Sequence, residues 1–136
     1  MIVSDMSRRG GGYLKPHRKH RLGQDVDLSY VPKPEHDNGG FMKMTPRVFD
    51  LERNWTLLRA MLDSGDVELI LMDRRIQKML YTDAREKGMR QDELARIFQY
   101  PRDVEEKVGI IQHWDKHDDH MHVRFACPED FSACKQ

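Results

Sequence analysis

The sequence predicts an α+β fold, with a small antiparallel sheet packed against two or three helices, in a single domain over residues 1–136. Three observations predict it. Gln24 to Val31 alternates in polarity, as a half-buried strand does. Residues 45–99 contain stretches with apolar residues at helical spacing. The tail from Gly109 to Phe125 reads as two short strands around a polar, histidine-loaded turn.

Taken in order, Gly10-Gly11-Gly12 is the most flexible point of the chain, and Pro32 to Gly40 is a loop rich in Pro, Gly, Asp and Asn. Between them, the strand puts Asp25 and Asp27 on one face and Val26 and Leu28 on the other. The clearest helix follows, with Thr45 as its N-cap, Pro46 in the first turn and Gly65 as its stop. Leu51, Trp55, Leu58 and Leu62 form its buried stripe, which is core packing. Val67 to Met72 has the length and apolarity of a strand. A second helix runs from Asp73 as cap to Gly88, burying Ile76, Met79, Leu80 and Ala84. A third runs from Gln91 to Gln99, burying Leu94, Ile97 and Phe98, and Pro101 ends it.

A chain of 136 residues with 38% apolar and 34% charged residues has room for one modest core. Its formal net charge of +0 gives no global field to steer it to nucleic acid or anionic lipid. No stretch approaches the roughly 20 apolar residues of a membrane helix. Met1 to Arg9 is polar and lacks the apolar segment of an export signal. The two cysteines, Cys127 and Cys134, fit either two free thiols or a local disulfide.

All of the seven histidines except His36 fall in two places: His17 and His20, then His113, His117, His120 and His122. On a strand from His120 to Phe125, His120 and His122 point to one face, a spacing that suits a metal. By itself, an edge strand with two exposed histidines explains the same pattern. The first region adds to it. In His20-Arg21-Leu22-Gly23-Gln24-Asp25-Val26-Asp27, the glycine lets the chain turn, so that the strand aims Asp27 back at His20. Two histidines, one carboxylate and an open position for water make the donor set of a catalytic zinc site, whereas a structural zinc is usually closed by four protein ligands. Other hydrolase patterns are missing. Val123-Arg124-Phe125 follows His122 where a His-x-His-x-Asp-His motif would continue, there is no His-Glu-x-x-His, and no serine sits in a Gly-x-Ser-x-Gly elbow.

His20-x-x-Gly23-x-Asp25-x-Asp27 together with His117-x-x-His120-x-His122 closely resembles the penicillin-insensitive murein endopeptidases, zinc peptidases that share a fold with D-Ala-D-Ala dipeptidases and the hedgehog domain. The likeness extends to Val3-Ser4-Asp5-Met6-Ser7, Gly11-Gly12, Asp50-Leu51-Glu52-Arg53-Asn54-Trp55 and His122-Val123-Arg124-Phe125-Ala126-Cys127-Pro128, nearly the whole chain. The resemblance implies one Zn2+ held by His20, Asp27 and His122, with His117 and His120 as catalytic histidines beside it. Related peptidases carry a glutamate base three residues before the last ligand. That position is Asp119 here, and histidine takes the role in the endopeptidase branch. The implied substrate is the cross-link peptide of peptidoglycan, cut between D-alanine and diaminopimelate. Cys127 and Cys134 match a pair that the family closes as a disulfide, which implies an exported, periplasmic setting. Two other readings of the same ligands are a D,D-carboxypeptidase or dipeptidase and a zinc-bearing cell-wall-binding module without turnover. Arg124 shares a strand face with His120 and His122 and suits either a substrate carboxylate or a salt bridge to Asp25, itself placed to orient a ligand imidazole.

Overall fold

Where polar and apolar residues alternate along a strand, one face turns to the helices and the other to the candidate site. The computed structural model describes residues 3–4 and 24–126. The central strand is β5 (His120–Phe125), antiparallel both to β2 (Asp25–Ser29) and to β3 (Val67–Leu71). At the edges, β1 (Val3–Ser4) runs antiparallel to β2, and β4 (Ile111–Gln112) runs parallel to β3. The order is β1-β2-β5-β3-β4. With three helices, α1 (Leu51–Asp63), α2 (Arg74–Glu86) and α3 (Gln91–Ile97), the fold is α+β.

Three sequence expectations are corrected in detail. The sheet is mixed, because α2 and α3 intervene between β3 and β4 and return the chain in its original direction. The cap of α1 is Asp50 in place of Thr45. Thr45 instead begins a turn, its carbonyl accepting from the Val48 and Phe49 N–H groups at 3.0 and 2.9 Å. Phe49 then bridges Pro32 in extended conformation, so the helix starts only when Asp50 Oδ1 accepts the Arg53 N–H at 3.0 Å. Gly65, with φ +75°, follows the end of α1 as expected, and Asp73 caps α2 by accepting the Arg75 N–H at 2.8 Å. The third helix ends at Ile97, two residues early, because Phe98 is taken into a bridge with Ile111 and the Gln99 N–H donates to the Ile111 carbonyl at 2.8 Å.

The core lies between the helices and the inner face of the sheet. Val26, Leu28, Ile70, Met121 and Val123 come from the strands, and Trp55, Leu58, Ile76, Leu80, Leu94 and Phe98 from the helices and the end of α3. Each such large side chain contributes about 1.5–3 kcal/mol by leaving water. Trp55 and Tyr81 meet Phe98 edge-on, with ring centroids 5.8 Å apart in each pair, a geometry that aromatic quadrupoles favour. Gln99, also buried, donates from Nε2 to the carbonyls of Val104 and Glu106 and accepts the His113 N–H on Oε1 at 2.8 Å, so it ties the 104–113 segment to the core. Gly109 permits that docking. Its φ is +81°, and a Cβ there would stand 2.6 Å from the Phe98 carbonyl carbon.

Candidate metal centre

The outer face of the β2–β5 ladder carries the chemistry. Antiparallel register sets Asp25 opposite Arg124, Asp27 opposite His122 and Ser29 opposite His120. Spacing by two keeps all six on one face, while Val26, Leu28, Met121 and Val123 go to the core. Leu71 of β3 is the other neighbour of His122 and is buried outside the core cluster, giving the site an apolar flank.

His122 lies between two carboxylates. Its Nδ1 is 2.8 Å from Asp27 Oδ1 and its Nε2 is 2.8 Å from Asp25 Oδ1, with all three residues buried. Arg124 Nε donates to the same Asp25 oxygen at 3.1 Å, so the salt bridge read from the sequence forms. Burial acts to raise the Asp25 carboxyl, but the His122 hydrogen bond and the Arg124 charge outweigh it and hold the group below its ordinary value. Burial acts to lower the His122 imidazole, and hydrogen bonds to Asp25 and Asp27 reverse that, raising it above its ordinary value. An imidazolium donates from both ring nitrogens, and a carboxylate stands at each. A metal ion would take the place of a proton at such a ring.

The two histidines beside this ladder are fixed from behind. His117 Nδ1 donates to the Asp115 carbonyl at 2.7 Å, and His120 Nδ1 donates to Asp119 Oδ1 at 2.6 Å. Both rings therefore present Nε2 as the nitrogen with a lone pair. Their centroids are 4.8 Å apart. Burial, reinforced by the neighbouring imidazoles of His120 and His122, holds the His117 imidazole below its ordinary value despite the Asp115 carbonyl, which favours the neutral form that a base needs. The loop that presents them is pinned. Tyr30 Oη donates to the His117 carbonyl at 2.7 Å, the Asp73 N–H reaches that carbonyl at 3.3 Å, and the Met44 N–H donates to the Asp118 carbonyl at 2.8 Å. Burial pushes the Tyr30 phenol well above its ordinary value, so it stays a donor.

Asp27, His117, His120 and His122 are therefore brought together. His20, Cys127 and Cys134 lie outside the described residues. Among the described residues no group of three His, Cys, Asp or Glu side chains forms a metal cage. The part of the expected set that is described fits zinc in its chemistry, a buried carboxylate and a buried imidazole whose donor atoms converge. His113 has another role. Its Nδ1 accepts the Arg74 N–H at 3.0 Å, capping the start of α2, and its Nε2 donates to Asp115 Oδ1 at 3.0 Å. The sequence reading missed Phe41, which stacks on the His120 ring at 5.4 Å with 15° between planes. It also gave Asp119 no part in orienting His120. Two cavities of about 660 and 600 Å³ flank α2, and neither is lined by a residue of the β2–β5 ladder.

The whole chain, residues 1–136, matches the family model described as penicillin-insensitive murein endopeptidase. Relatives bearing that name include one from Pectobacterium atrosepticum, 28% identical over 100% of this chain and 47% of its own length. Another from Haemophilus influenzae is 25% identical over 99% of this chain and 46% of its own. A third from Escherichia coli O157:H7 is 24% identical over 99% and 48%. The chain thus spans about half the length of the curated relatives it matches.

Proposed function

Since this chain belongs to the penicillin-insensitive murein endopeptidase family, we propose that it is a zinc-dependent endopeptidase that hydrolyses the D-alanyl–diaminopimelate amide of peptidoglycan cross-links. The observation that carries the reading is the approach of Asp27 Oδ1 to His122 Nδ1 at 2.8 Å, beside two histidines that both present Nε2. Asp27 and His122 hold the ion, with His20 as the third ligand that the family likeness implies. Zinc at such a site supplies Lewis acidity towards water and the scissile carbonyl.

The chain's own residues do the rest. His117, neutral because it is partly buried, takes a proton on Nε2 from the attacking water and returns it to the leaving amine. His120 stands against it, its ring held by Asp119 on one side and Phe41 on a face, placed to hydrogen-bond the reacting centre. Arg124 is engaged by Asp25, so its work is in the site's frame. No serine acyl-enzyme enters this scheme, so β-lactams have no nucleophile to acylate.

The test is digestion of purified cross-linked muropeptides read by mass spectrometry, with and without chelator. The expected result is loss of dimers that chelator abolishes and zinc restores. Loss of a single terminal alanine instead makes the protein a carboxypeptidase, and unchanged muropeptides make it a binder. An exported setting goes with this substrate, and no helix among the described residues is long and apolar enough to cross a membrane. Pairing of Cys127 with Cys134 belongs to the same reading. In exported protein, intact mass after alkylation without reductant should show both thiols blocked from reaction, and two alkylated thiols would contradict it. A loop this short limits the stabilisation to roughly 2–3 kcal/mol.

A further inference from the structure

We infer, resting on the endopeptidase reading above, that Phe41 is a positioning residue: backed by the segment 41–44, it holds the plane of the His120 ring and so keeps Nε2 turned to the reacting centre.

One hydrogen bond does not fix an imidazole. His120 opens β5, so the ladder constrains its backbone on the strand side while a turn precedes it. Its Nδ1 is tied to Asp119 Oδ1 at 2.6 Å, and the Asp119 side chain is itself 39% exposed. A ring held at one atom still pivots about that bond, and pivoting sweeps Nε2 away from any fixed point. A contact on the face of the ring removes that freedom. Phe41 supplies it, with centroids 5.4 Å apart and 15° between planes, within the range at which offset aromatic rings attract.

Phe41 can hold His120 only if it is held in turn, and the contacts along its segment alternate to do so. Met44 belongs to the core cluster and Met42 packs against it. Between and before them, Phe41 and Lys43 reach the histidine turn, Phe41 at His120 and Lys43 Nζ at Asp118 Oδ2, 3.7 Å away. The exposed Lys43 pair adds little by itself. The firmer tie is the Met44 N–H, which donates to the Asp118 carbonyl at 2.8 Å from a buried residue. The core thus sets where Phe41 stands, and Phe41 passes that position on to the His120 ring. Phe41 itself is half-buried and belongs to no part of the core cluster, so core packing does not account for an aromatic side chain there.

The experiment compares wild type, Phe41→Leu and Phe41→Tyr in the full 136-residue chain, loaded with zinc. Leucine keeps apolar bulk and loses the flat face, whereas tyrosine keeps the face. In Phe41→Leu, kcat on cross-linked muropeptides should fall about 10–100-fold, as for a displaced catalytic group. KM and zinc content should not change, the pattern of an interaction that matters in the transition state. Phe41→Tyr should retain the wild-type kcat. In a His120→Ala background Phe41→Leu should cost nothing further, since the ring through which it acts is gone. 13C relaxation of the His120 ring should report an ordered side chain in wild type and Phe41→Tyr and a mobile one in Phe41→Leu. A wild-type kcat in Phe41→Leu overturns the proposal, as does a raised KM at constant kcat, which would make Phe41 a substrate contact. So does an undiminished loss in the His120→Ala background, or a Phe41→Tyr as slow as Phe41→Leu. If Phe41→Leu fails to fold, Phe41→Met takes its place. Muropeptides left intact by wild type overturn the endopeptidase reading itself. Relaxation then decides the role of Phe41 alone, and a His120 ring equally ordered in Phe41→Leu overturns it.

Discussion

At the scale of single residues, the candidate site sorts its histidines by what stands behind each ring. His122 faces acids at both nitrogens, His117 rests on a backbone carbonyl, His120 on Asp119, and His113 caps a helix. The division of labour follows. Asp27→Ala and His122→Ala should lose zinc, since each removes a converging donor. His117→Ala and His120→Ala should retain it while kcat falls about 10²–10⁴-fold, the usual worth of positioned acid–base groups. Zinc content and muropeptide turnover of the four variants check this. Retained zinc in His122→Ala, or full turnover in both loop variants, would contradict the assignment. Most of this site was legible in the sequence because period-two spacing commits Asp25 and Asp27, and then His120 and His122, to one face each. Phe41 was not legible. Its stacking on His120 joins a loop without periodicity to a strand far along the chain, and no local pattern records such a contact.

At the scale of elements, the sequence located the three α-helices of the described residues and the longer strands, but it misplaced boundaries where tertiary contacts compete with local preference. Thr45 has the chemistry of a cap, yet the extended Phe49–Pro32 bridge intervenes and Asp50 takes the role. Phe98 continues the apolar stripe of α3, yet pairing with Ile111 draws it out of the helix. That second junction depends on Gly109. The positive φ and the 2.6 Å approach to the Phe98 carbonyl carbon leave no room for a side chain. Gly109→Ala should destabilise the fold by about 1–3 kcal/mol from backbone strain alone, and more if Phe98 must move. Urea unfolding of the variant provides the measurement, and a wild-type midpoint would show that the segment relaxes freely. Because Gln99 holds the His113 N–H, loosening here also reaches the loop that carries His117.

At the scale of the whole molecule, strand order was the part the sequence could not supply. A period of two reads the same whichever strand lies alongside, so nothing local says that β5 enters between β2 and β3. That insertion sets Asp27 opposite His122, two residues that the unfolded chain separates by |i−j| = 95. It also decides how the proposed zinc would couple to folding. The donors converge only when the central ladder has formed, so zinc would bind the folded chain in preference to the unfolded one and stabilise it by mass action. With free zinc about 1,000-fold above its dissociation constant, the gain is about 4 kcal/mol. Thermal unfolding should therefore shift upward on adding zinc and downward on adding chelator, by an amount that grows with the logarithm of free zinc. His122→Ala gives the control: its melting temperature should be insensitive to both additions at concentrations that move the wild type. His117→Ala should keep the full shift, because its ring stands outside the proposed ligand set. A wild-type transition that ignores chelator would mean that the ladder is complete without metal. A zinc-dependent shift that persists in His122→Ala would place the ion somewhere other than between β2 and β5.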